Sequence, residues 1–120
     1  MTTATPRTPP PASEIHAIEF YWRPGCAFCS GLRRGLDRRG IPYRAYDIWH
    51  DEDAAALVRS AARGHETVPT VGIADEMLVN PRIAEVLDVL GRVAPHLVPP
   101  RPSSDPGRRR LRELFHRRRP

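Results

Sequence analysis

The two cysteines of the chain lie in one Cys-Ala-Phe-Cys motif, Cys26 to Cys29. The motif follows an apolar run, residues 15–22, whose aromatic and β-branched side chains are typical of a buried strand. Arg-Pro-Gly at 23–25 predicts a turn, and the apolar spacing of residues 27–39 predicts an amphipathic helix that Gly40 ends. The sequence therefore predicts a strand, a turn and a helix in succession, with the cysteine pair at the start of the helix.

A helix N-terminus changes the chemistry of a cysteine placed there. The free amides and the macrodipole of the helix stabilise a thiolate on Cys26, and Arg23 can add a nearby positive charge. Cys29 lies one turn further on, close enough to form a disulfide with Cys26. We therefore expect Cys26 to be the exposed nucleophile and Cys29 to be a more buried thiol that resolves a mixed disulfide.

Two other uses of a C-x-x-C pair have less support in the sequence. A zinc site would need two further ligands; His50 or His65 could serve, but no second C-x-x-C and no H-x-x-x-H occurs. A structural disulfide would close a loop too short to contribute much stability. The strand, turn and helix favour a redox pair, and no metal site is expected.

The prolines divide the chain into one foldable segment and two tails. Ten of the 14 prolines lie outside residues 14–93, where they disfavour helices and central strands. We predict a disordered segment at 1–13, one domain at 14–93 and a Pro/Arg-rich, disordered tail at 94–120. Residues 101–120 contain eight arginines and two acids, whereas residues 1–100 contain eleven arginines and twelve acids. The nearly neutral domain shows no basic face, so a nucleic-acid-binding domain is not indicated.

The remaining patterns complete an α/β fold. Residues 42–49 alternate like a second strand, and the acids at 51–53 begin a second helix that Gly64 ends. Residues 68–73 and 77–79 predict two further strands, after which Asn80 as N-cap and Pro81 suit the start of a last helix. The order β-α-β-α-β-β-α, with a parallel crossover first and an antiparallel pair last, is that of the thioredoxin-like fold.

Thr67-Val68-Pro69 stands at the start of the third predicted strand. In this fold order we predict a cis peptide bond between Val68 and Pro69, opposite Cys26, although cis bonds are a small minority of X-Pro bonds. The Val68 backbone would then face a bound substrate chain.

The aromatic residues are first expected to be structural. Three of them should be core or half-buried strand residues, and Tyr21 and Trp22 could form an apolar rim beside the cysteine turn. The three are Phe20, Tyr46 and Trp49.

Four segments together resemble the glutaredoxins, and among them the actinobacterial mycoredoxins. The segments are residues 22–29, 46–50, 67–71 and 78–81, and the resemblance extends over residues 15–91. It implies reduction of mixed disulfides between proteins and a low-molecular-weight thiol, mycothiol or glutathione, with a second thiol molecule regenerating the enzyme and no bound cofactor. It implies Cys26 as nucleophile, Cys29 as resolving thiol and a thiol-binding set of Trp22, Arg23, Phe28, Thr67, Val68, Pro69 and Asn80.

Two departures leave the identity of the thiol open. Glutaredoxins that use glutathione often have a lysine just before the motif, whereas this chain has Arg23, one position further back. The loop before Thr-Val-Pro tends to be Gly/Asn-rich in mycoredoxins, whereas residues 62–66 here are Ala-Arg-Gly-His-Glu.

Two alternative functions also remain open. One is an electron donor to ribonucleotide reductase that thioredoxin reductase reduces; such donors commonly carry Trp-Ser-Gly-Phe-Arg-Pro where this chain has Val79-Asn80-Pro81. The other is a non-catalytic binding protein that acts through its Arg-rich tail. That tail could contact anionic lipid, nucleic acid or an acidic protein, or could be solvated without a partner.

The N-terminal sequence bears on location. Residues 1–11 lack the apolar core of a signal peptide, and no apolar run approaches the roughly 18 residues that a transmembrane helix needs. We therefore expect a cytoplasmic protein, and we expect it to be monomeric.

Overall fold

The computed structural model describes residues 11–100. The elements follow the predicted order β-α-β-α-β-β-α, with short 3-10 turns at Ala12–Glu14 and Pro95–Leu97. They are β1 (Ile18–Trp22), α1 (Ala27–Arg39), β2 (Tyr43–Asp47), α2 (Glu52–Ala61), β3 (Thr70–Ile73), β4 (Glu76–Val79) and α3 (Ile83–Val93).

The four strands form one mixed sheet in the order β2-β1-β3-β4. β1 is parallel to β2, in a register that pairs Ile18 with Tyr43. β3 is antiparallel to both β1 and β4, as the short connection between β3 and β4 predicts. This arrangement confirms the thioredoxin-like fold, and it places the end of β1, from which the cysteine turn departs, in the interior of the sheet.

The two faces of the sheet carry separate apolar cores. Successive residues of a strand point to opposite faces, so Phe20 and Tyr21 enter different cores. Phe20 packs with Leu36 of α1 and Leu90 of α3. Tyr21 packs with Val58 of α2 on the other face. Helix α1, which carries the cysteines, is therefore held against the sheet beside α3.

Local signals set both ends of α1 and the start of α2 as predicted, whereas α2 ends earlier than predicted. α1 begins directly after Cys26 and ends at Gly40, whose φ of +67° favours glycine. α2 begins after Asp51, whose carboxylate accepts a hydrogen bond from the Ala54 N–H at 3.0 Å. The α2 C-cap is Ala62, two residues before the predicted end at Gly64.

The prediction for the start of α3 is wrong. The helix begins at Ile83 and its N-cap is Arg82, whose N–H donates to the Glu85 carboxylate at 3.4 Å. Asn80 instead has a φ of +50° and donates its N–H to the Pro69 carbonyl at 2.8 Å. Asparagine tolerates this left-handed conformation, and the bond holds Asn80 beside Pro69 rather than at a helix cap.

Two aromatic residues lie elsewhere than predicted. Trp49 is 57 % exposed because β2 ends at Asp47, whose carboxylate accepts from the Trp49 N–H at 3.0 Å and turns the chain outward. Tyr21 is buried rather than at a rim, and its ring stacks on that of Tyr46. Phe20 is fully buried and Tyr46 half-buried, as predicted.

The structure describes only residues 11–13 and 94–100 of the two predicted tails. Ala94 is buried, and Leu97 and Val98 pack against the core. Residues 1–10 and 101–120, including the Arg-rich stretch, lie outside the described residues. Within residues 11–100, no helix combines the length and the apolar character that crossing a bilayer requires.

Candidate active site

Cys26 caps the N-terminus of α1 with its own sulfur. The Cys29 N–H donates to Cys26 Sγ at 3.2 Å, and the same sulfur lies 3.9 Å from the Val68 carbonyl oxygen. Cys26 is partly exposed, and both cysteines are free thiols. A hydrogen-bond donor and the positive end of a helix dipole both stabilise a thiolate at this position.

Cys29 has a different environment one turn into α1. It is 3 % exposed and packs in the apolar core beneath the cysteine turn. Burial, and after it the hydrogen bond with Cys26, raises the pKa of the Cys29 thiol to about 12. Cys29 is therefore protonated at neutral pH and is a poor competitor of Cys26 for an incoming disulfide.

This pKa predicts that Cys29 resists alkylation. In a Cys26→Ser variant, in which the burial of Cys29 persists but its hydrogen bond with the Cys26 thiol is absent, we expect iodoacetamide at pH 8 to react at least roughly a hundredfold more slowly with the folded than with the unfolded protein. The rate should rise about tenfold per pH unit up to pH ~11. Equal rates for the folded and the denatured variant would contradict the burial.

The same pKa has a consequence for stability. The pKa of Cys29 is raised in the folded protein from a usual value of 9.0 to about 12. Above pH 9 the unfolded chain therefore releases a proton that the native state keeps. The contribution of Cys29 to stability is complete below pH 9 and is lost as the pH rises towards 12.

The Thr67–Pro69 segment lies against the cysteine turn. The peptide bond between Val68 and Pro69 is cis, as predicted. The Thr70 hydroxyl donates to the Thr67 carbonyl at 2.8 Å, and Pro69 is buried. Since Asn80 donates to Pro69, the fold brings Cys26, Val68 and Asn80 to one region although they are far apart in the sequence.

Two cavities flank the cysteine turn. The larger, of about 670 Å³, is a groove between α1 and the segment that precedes α3, and Phe28, Pro69 and Asn80 line it. The smaller, of about 290 Å³, lies between the end of β1 and α1. Trp22 and Arg23 line the smaller cavity together with both cysteines. Five residues of the predicted thiol-binding set therefore line one cavity or the other, whereas Thr67 and Val68 line neither.

Arg33 of α1 lies close to the cysteine turn, although no sequence pattern singled it out. Its guanidinium lies 5.0 Å from the ring centroid of Trp22 and 5.4 Å from that of Phe20, and it lines the smaller cavity. These distances are those of cation–π contacts. Its position four residues after Cys29, on the same side of the helix, is the signal that could have indicated this placement.

Arg23 and Trp49 form the outer edge of the site. The Arg23 guanidinium lies 5.6 Å from the centroid of the Trp49 ring. An exposed tryptophan is therefore held next to the loop that precedes Cys26, at a place where a substrate chain can reach it.

Metal-ligating side chains do not converge in the described part of the chain. Within residues 11–100, no three His, Cys, Asp or Glu side chains come together in a way that could hold a metal ion. His50, one of the two histidines considered as zinc ligands, contacts the Asp47 carboxylate at 2.7 Å.

Known proteins share this arrangement of sequence and fold. The glutaredoxin family model matches residues 18–78, about half of the chain. A Mycobacterium tuberculosis protein named as a glutaredoxin is 38 % identical over 65 % of this chain and 94 % of its own length. Mycoredoxin 1 of Corynebacterium glutamicum is 37 % identical over 58 % of this chain and 87 % of its own. The crystal structure of the thioredoxin-like protein BC3987 is 25 % identical with a TM-score of 0.55, covering 61 % of this chain and 99 % of that one.

The family match, the fold and the cysteine pair at the start of α1 agree with one another. Glutaredoxins and mycoredoxins are thiol-disulfide oxidoreductases. The chain belongs to the glutaredoxin family and is a thiol-disulfide oxidoreductase homologous to mycoredoxin.

Proposed function

We propose that the protein reduces mixed disulfides between protein cysteines and a low-molecular-weight thiol, and that this thiol is mycothiol. The observation that carries the proposal is the inequality of the two cysteines. Cys26 is partly exposed and accepts an amide hydrogen bond at its sulfur, whereas Cys29 is buried with a pKa of about 12. In such a pair one thiol attacks the substrate disulfide, and the other stays protonated until it resolves the mixed disulfide.

In the first step the Cys26 thiolate attacks the sulfur of the low-molecular-weight thiol in the mixed disulfide. A new disulfide forms between Cys26 and that thiol, and the protein substrate leaves as a thiolate that takes up a proton. The Cys29 N–H, which donates to Cys26 Sγ at 3.2 Å, stabilises the attacking thiolate before this step.

In the second step a further molecule of the same thiol attacks the bound one. The products are the oxidised disulfide of the small thiol and the regenerated Cys26 thiolate. Cys29 provides another route, in which its sulfur attacks Cys26, releases the small thiol and leaves a Cys26–Cys29 disulfide. In the reduction of a protein disulfide Cys26 is joined to a substrate cysteine instead, and the same attack by Cys29 releases the substrate thiol. Two molecules of the small thiol then reduce the Cys26–Cys29 disulfide to the two thiols.

The proposed binding residues surround Cys26. We assign the Val68 and Pro69 backbone, with Thr67 behind it, to the clamp that holds the bound thiol next to the Cys26 sulfur. Support comes from the 3.9 Å between Cys26 Sγ and the Val68 carbonyl. Phe28 and Asn80 flank the groove beside this clamp, and Trp22 and Arg23 flank the smaller cavity.

The similarity to mycoredoxin 1 supports mycothiol as the co-substrate. The loop before the clamp differs from the Gly/Asn-rich loop that mycoredoxins tend to have, and Arg63 within it has a φ of +55°.

The test compares three reductants on one mixed-disulfide protein substrate. The arms are mycothiol, glutathione, and thioredoxin reductase with NADPH, each at equal reducing capacity. We expect turnover with mycothiol to exceed that with glutathione by at least about tenfold, which corresponds to roughly 1.4 kcal/mol of preference. Faster reduction by thioredoxin reductase without any small thiol would overturn the proposal and favour a thioredoxin-like electron donor.

A further inference from the structure

The groove between α1 and the segment preceding α3 extends well beyond the cysteines. It begins at Ala27 and Phe28 beside Cys26 and continues along α1 as far as Arg39, with Asn80 to Ile83 forming the opposite wall. Phe28, at the end of the groove next to Cys26, is 75 % exposed. We call this feature the α1–α3 groove. It is open where a chain attached to a disulfide at Cys26 would pass.

Gly31 keeps the middle of the groove empty. Glycine destabilises a helix interior relative to alanine, so a glycine in the centre of α1 needs a reason. Packing does not supply one, because a Cβ added at Gly31 would meet no atom within 4 Å. One turn further on, Gly35 does have a packing reason, since a Cβ there would lie 3.4 Å from Ile83.

The far end of the groove is positively charged. Arg38, Arg39 and Arg82 line it, and none of them forms an ion pair with a side chain of residues 11–100. Residues 11–100 contain ten arginines and twelve acids, yet α1 alone contains four arginines and only Asp37. The Asp37 carboxylate accepts a hydrogen bond from the Tyr43 hydroxyl at 2.8 Å. The domain therefore does have a basic face, contrary to the expectation from its net charge.

We infer that the α1–α3 groove binds an acidic segment of the protein substrate, next to the cysteine that carries the mixed disulfide. This inference rests on the proposed function, and it adds the class of substrate that the site selects. The three arginines, which have no carboxylate partner within residues 11–100, complement acidic side chains, and the space over Gly31 admits an extended backbone. An acidic protein is favoured over a nucleic acid because residues 11–100 are net negative outside the groove and would repel a polyanion that continued along the domain surface.

The experiment uses two peptides that differ only in charge. Both carry one cysteine as a mixed disulfide with the same thiol, and one has three glutamates beside it where the other has three glutamines. We expect kcat/KM for the glutamate peptide to be roughly tenfold higher at low ionic strength, and the ratio to approach one in 0.5 M salt. A low turnover of both peptides would count against the proposed function, whereas equal turnover of both would overturn only this inference.

Matched variants locate the effect. Arg38→Gln combined with Arg39→Gln should bring the ratio of the two kcat/KM values close to one. Arg34→Gln combined with Arg44→Gln removes the same charge from residues that do not line the groove, and should leave the ratio high. A ratio that falls equally in both double variants would show a general charge effect and overturn the groove as its source.

A further variant tests the space over Gly31. Gly31→Leu places a side chain in the groove, and its thermal stability should match or exceed that of the original protein. We expect its kcat/KM for the glutamate peptide to fall at least fivefold relative to its kcat/KM for a small symmetric disulfide. An unchanged ratio would overturn the groove as the peptide site. Tighter binding of a single-stranded oligonucleotide than of the glutamate peptide, lost in the Arg38/Arg39 variant, would instead assign the groove to nucleic acid.

Discussion

Replacing Cys26 by serine should reduce the turnover of a mixed disulfide by roughly a thousandfold or more, because a serine hydroxyl does not ionise to a nucleophile that attacks sulfur. Cys29→Ser should retain turnover of the same substrate. The difference follows from their positions, since only Cys26 is partly exposed and accepts a hydrogen bond at its sulfur from the start of α1. The measurement is the steady-state rate at which free protein thiol appears from a thiol-modified protein.

Two outcomes distinguish the routes of regeneration. If Cys29→Ser were as inactive as Cys26→Ser on the mixed disulfide, the route through a second small thiol would be wrong. With an intramolecular protein disulfide as substrate, Cys29→Ser should lose most of its activity, because the resolving thiol is then required. Circular dichroism of each variant provides the control for folding.

Phe20→Ala should lower the free energy of unfolding by about 3–5 kcal/mol. Phe20 is 1 % exposed at the centre of β1 and reaches the core between the sheet, α1 and α3. Its ring meets that of Tyr43 edge-on, with 5.6 Å between centroids. Truncation therefore removes apolar contacts and leaves a cavity that the surrounding elements cannot fill. Urea denaturation followed by circular dichroism measures the change.

Phe28→Ala is the matched control for this prediction. The same truncation there should change the free energy of unfolding by less than about 0.5 kcal/mol, because Phe28 is 75 % exposed. If Phe28→Ala lowered the free energy of unfolding as much as Phe20→Ala, the Phe28 side chain would have to be buried, which contradicts its exposure in the structure. A small loss at Phe20 would contradict the assignment of the core.

The local elements could be predicted because each carries its own signals. The bounds of α1 agree with the prediction residue for residue, since Cys26 precedes the periodic segment and Gly40 ends it in a conformation that suits glycine. β1 and β3 begin later than predicted, at Ile18 and Thr70, whereas β4 begins one residue earlier, at Glu76. Apolar composition continues into the preceding loops, whereas the hydrogen bonds that define a strand do not.

Two wrong predictions, for Asn80 and Trp49, concern residue types that suit more than one local structure. Asparagine is common at helix N-caps, but the Asn80 N–H donates to the Pro69 carbonyl, and this bond keeps Asn80 next to β3. Tryptophan is common in strands, but the Asp47 carboxylate accepts a hydrogen bond from the Trp49 N–H and turns the chain before Trp49 can join the sheet. For Asn80 the partner is a backbone carbonyl 11 residues away in the sequence, which local propensity does not include. For Trp49 the partner is only two residues away, and the alternating strand pattern did not take that side chain–backbone bond into account.

The sequence by itself determined the chemistry of this protein: a cysteine pair at the start of a helix, in a βαβ order that ends in the Thr-Val-Pro segment. Only the tertiary structure decided what surrounds the nucleophile. It places the Val68 carbonyl 3.9 Å from Cys26 across 42 residues of chain, and it turns Arg33 inward while Arg38 and Arg39 line an open groove. The physical reason is that burial and charge environment depend on contacts between distant segments, which form only when the sheet and both helices on that face have packed.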